Sequence, residues 1–258
     1  MSDWPKVWVI IATYRRTETT LYTIRSLRDH LIYPNLHFHI ADDGSGEADD
    51  GTARWHVGVL VDAISEFCPD VTWHEMDTPP GQFNFGGNVN QAIRAMQGNG
   101  GSIYMLNADD WALLHDLDIR PMVDVLSTYP EVGLMRLSYR TPGHGSLAVR
   151  YDCPRLDGAQ YMWERLIREW SLHNPFGVVD SCLVSLQPCV VHMRMHEAYG
   201  WLPEHIQPGT TELAFNGQYV NSPLGESGPQ ILFPIGRCVS HAPWGHMVGR
   251  AHHYAAVT

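Results

Sequence analysis

The sequence predicts an α/β protein built on a mostly parallel central sheet with helices on both faces. One observation is an alternation of strand-like and helix-like segments over residues 7 to 137. A second is that strand candidates such as Val7 to Ala12 and Ile103 to Leu106 are short apolar runs, the pattern of strands buried on both faces, while Leu36 to Ala41 alternates apolar residues with His. The third is where these runs end. Thr13-Tyr14, Asp42-Asp43 and Asn107 to Asp110 each follow one, and open α/β sheets bind ligands outside the carboxyl ends of their strands.

Val7 to Ala12 reads as the first buried strand, running into Thr13-Tyr14-Arg15-Arg16. A helix is expected from Thr17 to Leu31, with Leu21, Ile24, Leu27 and Leu31 on one face and Thr17 and Glu18 at its positive end. Pro34-Asn35 makes a turn. Leu36 to Ala41 is the second strand, closed by Asp42-Asp43-Gly44-Ser45-Gly46. Trp55, Val59, Ala63 and Phe67 give Gly51 to Phe67 a helical face, and Val71 to Met76 is the third strand. After the break at Thr78-Pro79-Pro80-Gly81, Phe83 to Gly87 reads as a loop and Asn88 to Gln97 as a helix stopped by Gly98-Asn99-Gly100-Gly101. Ile103 to Leu106 is the fourth strand. Asp118 to Tyr129 is an amphipathic helix with Pro121 near its start, and Val132 to Leu137 is the fifth strand.

Past residue 140 the periodicity is weaker. Gln160 to Trp170 reads as helical, Val178 to Val191 as one or two strands holding Asp180, Met195 to Gly200 as a helical turn, and Thr210 to Val220 as a helix carrying Glu212. The tail from Ile231 gives a last strand or two before Ser240-His241-Ala242-Pro243-Trp244. We read residues 1–140 as a ligand-binding half and 141–258 as an acceptor-side α+β extension of the same single domain.

Composition narrows the function. With 258 residues, 44% hydrophobic and 17% charged, the chain has ample length for a core. A formal net charge of -11 makes nucleic acid or an anionic membrane an unexpected partner. No apolar run reaches membrane-spanning length, and Met1 to Lys6 lacks a signal-peptide pattern. The 5 cysteines form no C-x-x-C pair, which points to reduced thiols and a cytoplasmic setting, the host's cytoplasm if the source is viral. Neither G-x-G-x-x-G nor G-x-x-x-x-G-K-[ST] is present, so dinucleotide and P-loop modes are unsupported.

Asp109 and Asp110 carry the chemistry. Adjacent carboxylates just past a buried strand raise each other's pKa and call for a cation. A hard divalent ion shared with substrate phosphate oxygens answers that demand. The competing reading is an Asp-rich turn that caps the next helix.

Taken together, the motifs resemble those of the family 2 glycosyltransferases, inverting enzymes of the GT-A fold. Val9-Ile10-Ile11-Ala12-Thr13-Tyr14-Arg15-Arg16 is similar to that family's opening strand, and Ala41-Asp42-Asp43-Gly44-Ser45 to the element closing its second strand. Gly86-Gly87-Asn88-Val89-Asn90-Gln91 resembles its Gly/Asn-rich helix start. Leu106-Asn107-Ala108-Asp109-Asp110-Trp111 resembles its D-x-D-type metal motif, with Asn107 where Asp is commoner. Glu197 to Glu204 resembles the turn before its acceptor helix.

The resemblance implies a metal-dependent transfer of a sugar, hexosyl in type, from a nucleotide donor (a UDP-sugar first among them) to a hydroxyl on a glycan, protein or modified nucleobase. It implies Thr13, Tyr14, Arg16, Asp43, Asn88 and Asp109 as nucleotide contacts, with Asp42 competing for the place of Asp43. Asp110, Asp109 and His241 would hold Mn²⁺ or Mg²⁺. The family's base position reads Thr211-Glu212 here, which makes Glu212 the candidate base with Asp180 as its rival. Two other classes remain open: a degenerate member that binds nucleotide sugar or glycan without turnover, and a metallohydrolase using His241, His246, His252 and His253. The absence of H-E-x-x-H counts against the last.

Overall fold

The computed structural model describes residues 4–48, 54–79, 82–137, 148–156, 162–166, 188–235 and 239–241. In chain order the elements are β1 (Val7–Thr13), α1 (Thr17–His30), β2 (Leu31–Ile32), β3 (Leu36–Asp42), α2 (His56–Ser65), β4 (Val71–Glu75) and α3 (Phe85–Gly98). There follow β5 (Ile103–Ala108), β6 (Trp111–Leu113), β7 (Leu117–Asp118), α4 (Arg120–Thr128), β8 (Val132–Arg136), β9 (Ala148–Arg150) and β10 (Met162–Leu166). The remainder are β11 (Cys189–His192), α5 (Arg194–Tyr199), α6 (Pro208–Val220), β12 (Gln230–Ile235) and β13 (Val239–His241).

A 9-stranded sheet ordered β4-β3-β1-β5-β11-β8-β12-β10-β9 organises the chain. β4, β3, β1 and β5 are mutually parallel, β11 runs antiparallel to both β5 and β8, and β12 is parallel to β8. Strands from both halves of the chain therefore share one sheet. The acceptor-side strand β11 is wedged against β5, beside the carboxylate-bearing strand end.

The apolar runs become central strands because both of their faces are covered. Every residue of β1 is buried. Val7, Val9 and Ile11 join the core beneath α1, α2 and α4, while Trp8, Ile10 and Ala12 join the core beneath α3, α5 and α6. Each such side chain contributes roughly 1.5–3 kcal/mol by leaving water. Register follows from this two-sided burial: β1 pairs with β3 from Val7↔Leu36 to Thr13↔Asp42 and with β5 from Val7↔Ile103 to Ala12↔Ala108.

Three expectations change. The helix expected over Gly51 to Phe67 begins only at His56, because Trp55 is extended and bridges to Glu47. α3 begins at Phe85, so Gly86 and Gly87 lie inside the helix rather than in a loop. Met162–Leu166, expected to be helical, is β10, paired antiparallel with both β12 and β9. Its alternation of exposed Met162 and buried Trp163 is the strand period, and sheet pairing overrides the helical grouping of its apolar residues. Among the described residues no helix is long and apolar enough to cross a membrane.

Candidate active site

β1 ends between the two acidic strand ends. The Thr13 carbonyl accepts the Asp43 N–H at 3.0 Å, and the Ala12 carbonyl accepts the Asp109 N–H at 3.1 Å. The arms leaving β3 and β5 thus start side by side on one end of the sheet.

On the β3 side, Asp42 is fully buried and closes the turn by accepting from the Ser45 N–H at 2.6 Å. Burial pushes its carboxyl up to about 6, against the hydrogen bonds from Ser45. Gly44 has φ +83°, and a Cβ there would meet the Met76 carbonyl at 2.9 Å, so this turn requires glycine. Asp43 then accepts the Thr78 hydroxyl at 2.6 Å and the Asn84 N–H at 3.2 Å. Of the adjacent pair, Asp42 is spent on the turn and Asp43 ties it to Thr78 and to Asn84 at the start of α3.

On the β5 side a cation already sits between the carboxylates. Arg16 donates through Nε to Asp109 Oδ2 at 3.0 Å, through Nη2 to Asp109 Oδ1, and through Nη1 to Asp110 Oδ2 at 3.0 Å. The Tyr14 N–H points at Asp109 Oδ2 from 3.4 Å, and the Thr23 hydroxyl donates to the Asp109 carbonyl at 2.8 Å. Arg15 has φ 51°, a left-handed turn that costs roughly 1–2 kcal/mol and folds Arg16 back over the strand end. Burial pushes the Asp109 carboxyl up to about 7; Arg16 opposes that shift and Asp110 reinforces it. For Arg16, burial works against the charge, but Asp109 and Asp110 outweigh it and raise its pKa.

Thr13 and Asn88 are spent on the frame. The Thr13 hydroxyl lies 3.1 Å from Thr20 Oγ1 and 3.1 Å from His56 Nε2, in the seam between α1 and α2. Asn88 is 1% exposed; it donates to the Ala41 carbonyl at 2.8 Å, and its Oδ1 lies 2.7 Å from His74 Nε2, fastening α3 to β3 and β4.

Glu212 is half-buried in the first turns of α6. It acts electrostatically on Cys189, whose thiol burial pushes up to about 12, with Arg136 opposing and Glu212 adding to the rise. Cys189 pairs with Leu106 on one side and Arg136 on the other. The backbone of His241 pairs with Trp111, directly after Asp110. Asp180, and with it His246, His252 and His253, lies outside the described residues.

Sequence reasoning missed Ser45, Thr78, Asn84 and Arg136. Asn84 carried a readable signal, since an Asn just ahead of an apolar helix pattern is an N-cap, and its side chain accepts the Gly87 N–H. The other three are recognisable only through their partners.

Among the described residues no three His, Cys, Asp or Glu side chains gather as a complete ligand set. Asp109 and Asp110 supply two carboxylates around one cation. That donor set suits an ion completed by diphosphate oxygens.

The family model for glycosyl transferase family 2 matches residues 8–189. The chain belongs to that family. Solved structures agree on the fold: S. aureus TarS superposes with a TM-score of 0.59 at 11% identity, covering 93% of this chain and 37% of TarS. TarS residues 1-349 in complex with UDP give 0.56 at 12% identity, covering 91% and 59%. Glucosyl-3-phosphoglycerate synthase from Mycobacterium tuberculosis, in complex with Mn²⁺, UDP and glucosyl-3-phosphoglycerate, gives 0.53 at 15% identity, covering 98% and 77%. This chain therefore spans well under two thirds of TarS. At such identities the likeness shows a GT-A fold and no more. A search of curated proteins found no match.

Proposed function

We propose that the chain is a metal-dependent, inverting glycosyltransferase that moves a sugar from a UDP-sugar to a hydroxyl acceptor in a single displacement. The observation that carries the proposal is the pair Asp109 and Asp110 closing on a cationic group at the end of β1, beside Asp43. Solved structures of the same fold hold UDP, one of them with Mn²⁺.

In this reading Asp43, with Tyr14, lines the base and ribose end of the crevice. Asp109 and Asp110 hold Mn²⁺ or Mg²⁺, with His241 beside them by strand register, and Arg16 turns to the diphosphate oxygens. A bound divalent ion supplies Lewis-acid neutralisation of the charge that grows on the leaving diphosphate. Thr13 and Asn88 keep the walls in register without touching donor.

Glu212 is the base. Its carboxylate takes the proton as the acceptor oxygen bonds to the anomeric carbon and the bond to the diphosphate breaks, inverting that centre. General-base assistance of this kind is worth about 10²–10⁴-fold. The test is a turnover panel of UDP-, GDP-, ADP- and dTDP-sugars with and without Mn²⁺, scored for transfer and for donor hydrolysis. Release of UDP that depends on Mn²⁺ supports the reading. Nucleotide binding with no release from any donor would replace it with the degenerate, binding-only alternative.

A further inference from the structure

The proposed reaction needs the nucleotide end of the crevice and α6, which carries Glu212, held at a fixed offset, although the two come from distant parts of the chain. One side chain spans them. Asn84 is 6% exposed, and its Oδ1 accepts two backbone N–H groups, Gly87 at 3.2 Å and His205 at 2.8 Å. Its own N–H donates to Asp43 Oδ2 at 3.2 Å. The first bond caps α3, the second holds the segment leading into α6, and the third reaches the nucleotide wall.

Around this bridge α3 and the approach to α6 are fitted closely. A Cβ on Gly86 would lie 1.9 Å from the Pro203 carbonyl oxygen and 3.3 Å from Thr211 Cγ2, so the segment leading into α6 occupies the space that a side chain would fill. Asn90 exchanges hydrogen bonds with Leu202, donating to its carbonyl at 2.8 Å and accepting its N–H at 3.2 Å. His205 has φ 59°, a left-handed conformation that costs a non-glycine residue and persists where the surroundings fix it.

We infer that Asn84 is a positioning residue for the transfer step: through His205 it sets where α6 presents Glu212 relative to the nucleotide wall at Asp43. This rests on the transferase reading for its catalytic consequence, but the mechanical link stands on the hydrogen bonds alone. A displacement of about 1 Å at a reacting group is enough to cost about 10²-fold in rate.

Three substitutions separate capping from bridging. Asn84→Ser keeps a hydroxyl for the Gly87 N–H but is too short to reach His205 as well. Asn84→Asp keeps an oxygen for both. Asn84→Ala keeps neither. Each variant is measured in the full chain by hydrogen exchange of the 201–220 amides, by calorimetric UDP–Mn²⁺ affinity, and by kcat and KM for UDP-glucose hydrolysis.

The expected result is exchange in 201–220 about tenfold faster in Asn84→Ser and Asn84→Ala. kcat should fall by about 10-fold to 10²-fold with KM and UDP affinity within about threefold, and Asn84→Asp should recover both readouts. Unchanged exchange in Asn84→Ser, UDP affinity falling in step with kcat, or an Asn84→Asp as impaired as Asn84→Ala would overturn the inference. If the wild-type chain releases UDP from no donor, the transferase reading fails by itself. The exchange measurement then still decides whether Asn84 couples the two segments.

Discussion

At the carboxyl ends of β1 and β5 formal charges are crowded together, whereas on the α3 face of β3 and β4 a polar file with His37 and His39 buried is made of side chains that hydrogen-bond one to the next. In the first, Asp109, 1% exposed, and Asp110 share the single guanidinium of Arg16. In the second, His37 Nδ1 lies 2.6 Å from Asp70, His37 Nε2 and His39 Nδ1 lie 2.7 and 2.8 Å from Thr72 Oγ1, and His39 Nε2 lies 2.8 Å from His74 Nδ1. The file ends at Asn88 and the Ala41 carbonyl. Trp8 seals it, its ring 3.8 Å from that of His37. Burial pushes the pKa values of His37, His39 and His74 down, so this cluster answers desolvation by shedding protons. The carboxylate cluster answers it by recruiting cations. A fold can enclose polar groups either way, and in the proposed reading it is the carboxylate cluster that gains from binding a metal and a diphosphate.

The largest expected effect breaks the charged cluster. Asp110→Asn, or removal of divalent ions by a chelator, should reduce UDP release by about 10³-fold, the several kcal/mol that a Lewis acid contributes at a leaving diphosphate. Far-UV circular dichroism should stay unchanged. Loss of fold together with activity would assign Asp110 to structure instead.

Next comes the cation already present. Arg16→Ala removes the guanidinium that bonds both carboxylates and should cost about 3 kcal/mol in chemical denaturation without metal. Mn²⁺ should stabilise that variant more than it stabilises wild type. Equal stabilisation of both would show that metal and guanidinium do not share the carboxylates.

The histidine file is sharpened by pH. His39 is pushed down to about 3, chiefly by burial and then by His74 and His37. The unfolded chain therefore binds more protons than the folded one between that value and the ordinary histidine pKa of about 6.5. The stability it contributes is complete above about pH 6.5 and is lost as pH falls toward 3, amounting to about 2 kcal/mol at pH 5. Asp42, pushed up to about 6 by burial, acts with the opposite sign, losing stability as pH rises from about 4 to 6. The informative quantity is thus the difference between wild type and His39→Gln, whose denaturation midpoint should fall less steeply from pH 7 to 5. Parallel curves would contradict a depressed His39.

The smallest effect concerns Asn88. Its replacement by Ala should cost about 1–2 kcal/mol, by removing the Asn88 bonds to the Ala41 carbonyl and to His74 Nε2, while UDP affinity stays unchanged in calorimetry. A loss of affinity at constant stability would return Asn88 to the nucleotide.

Much of this layout was legible in the residues themselves. β1 and β5 declared themselves because two-sided burial demands unbroken apolar runs, β3 by its alternation of apolar residues with His, and the Asp109–Asp110 pair stood out because charge past a buried strand needs a reason. Legibility failed where the deciding partner is far away in the chain. Gly86 and Gly87 read as helix breakers, yet Gly86 lies in α3 because the Pro203 carbonyl occupies the place of its Cβ. Met162 to Leu166 grouped like a helix until β12 and β9 supplied strand partners. Of the adjacent acids, Asp43 rather than Asp42 faces Thr78 and Asn84, a choice made by the turn at Ser45. Arg16 read as a phosphate contact; its grip on both carboxylates is a tertiary fact.

The central claim is that Asp109 and Asp110 form, with Asp43, one crevice for a cation and a nucleoside diphosphate. Calorimetric titration of UDP into wild type and Asp110→Asn, each with and without Mn²⁺, tests it most directly. The account predicts that Mn²⁺ strengthens UDP binding to wild type by about tenfold or more, roughly 1.4 kcal/mol, and adds nothing in Asp110→Asn. UDP binding indifferent to Mn²⁺, or a gain that survives in Asp110→Asn, would contradict it.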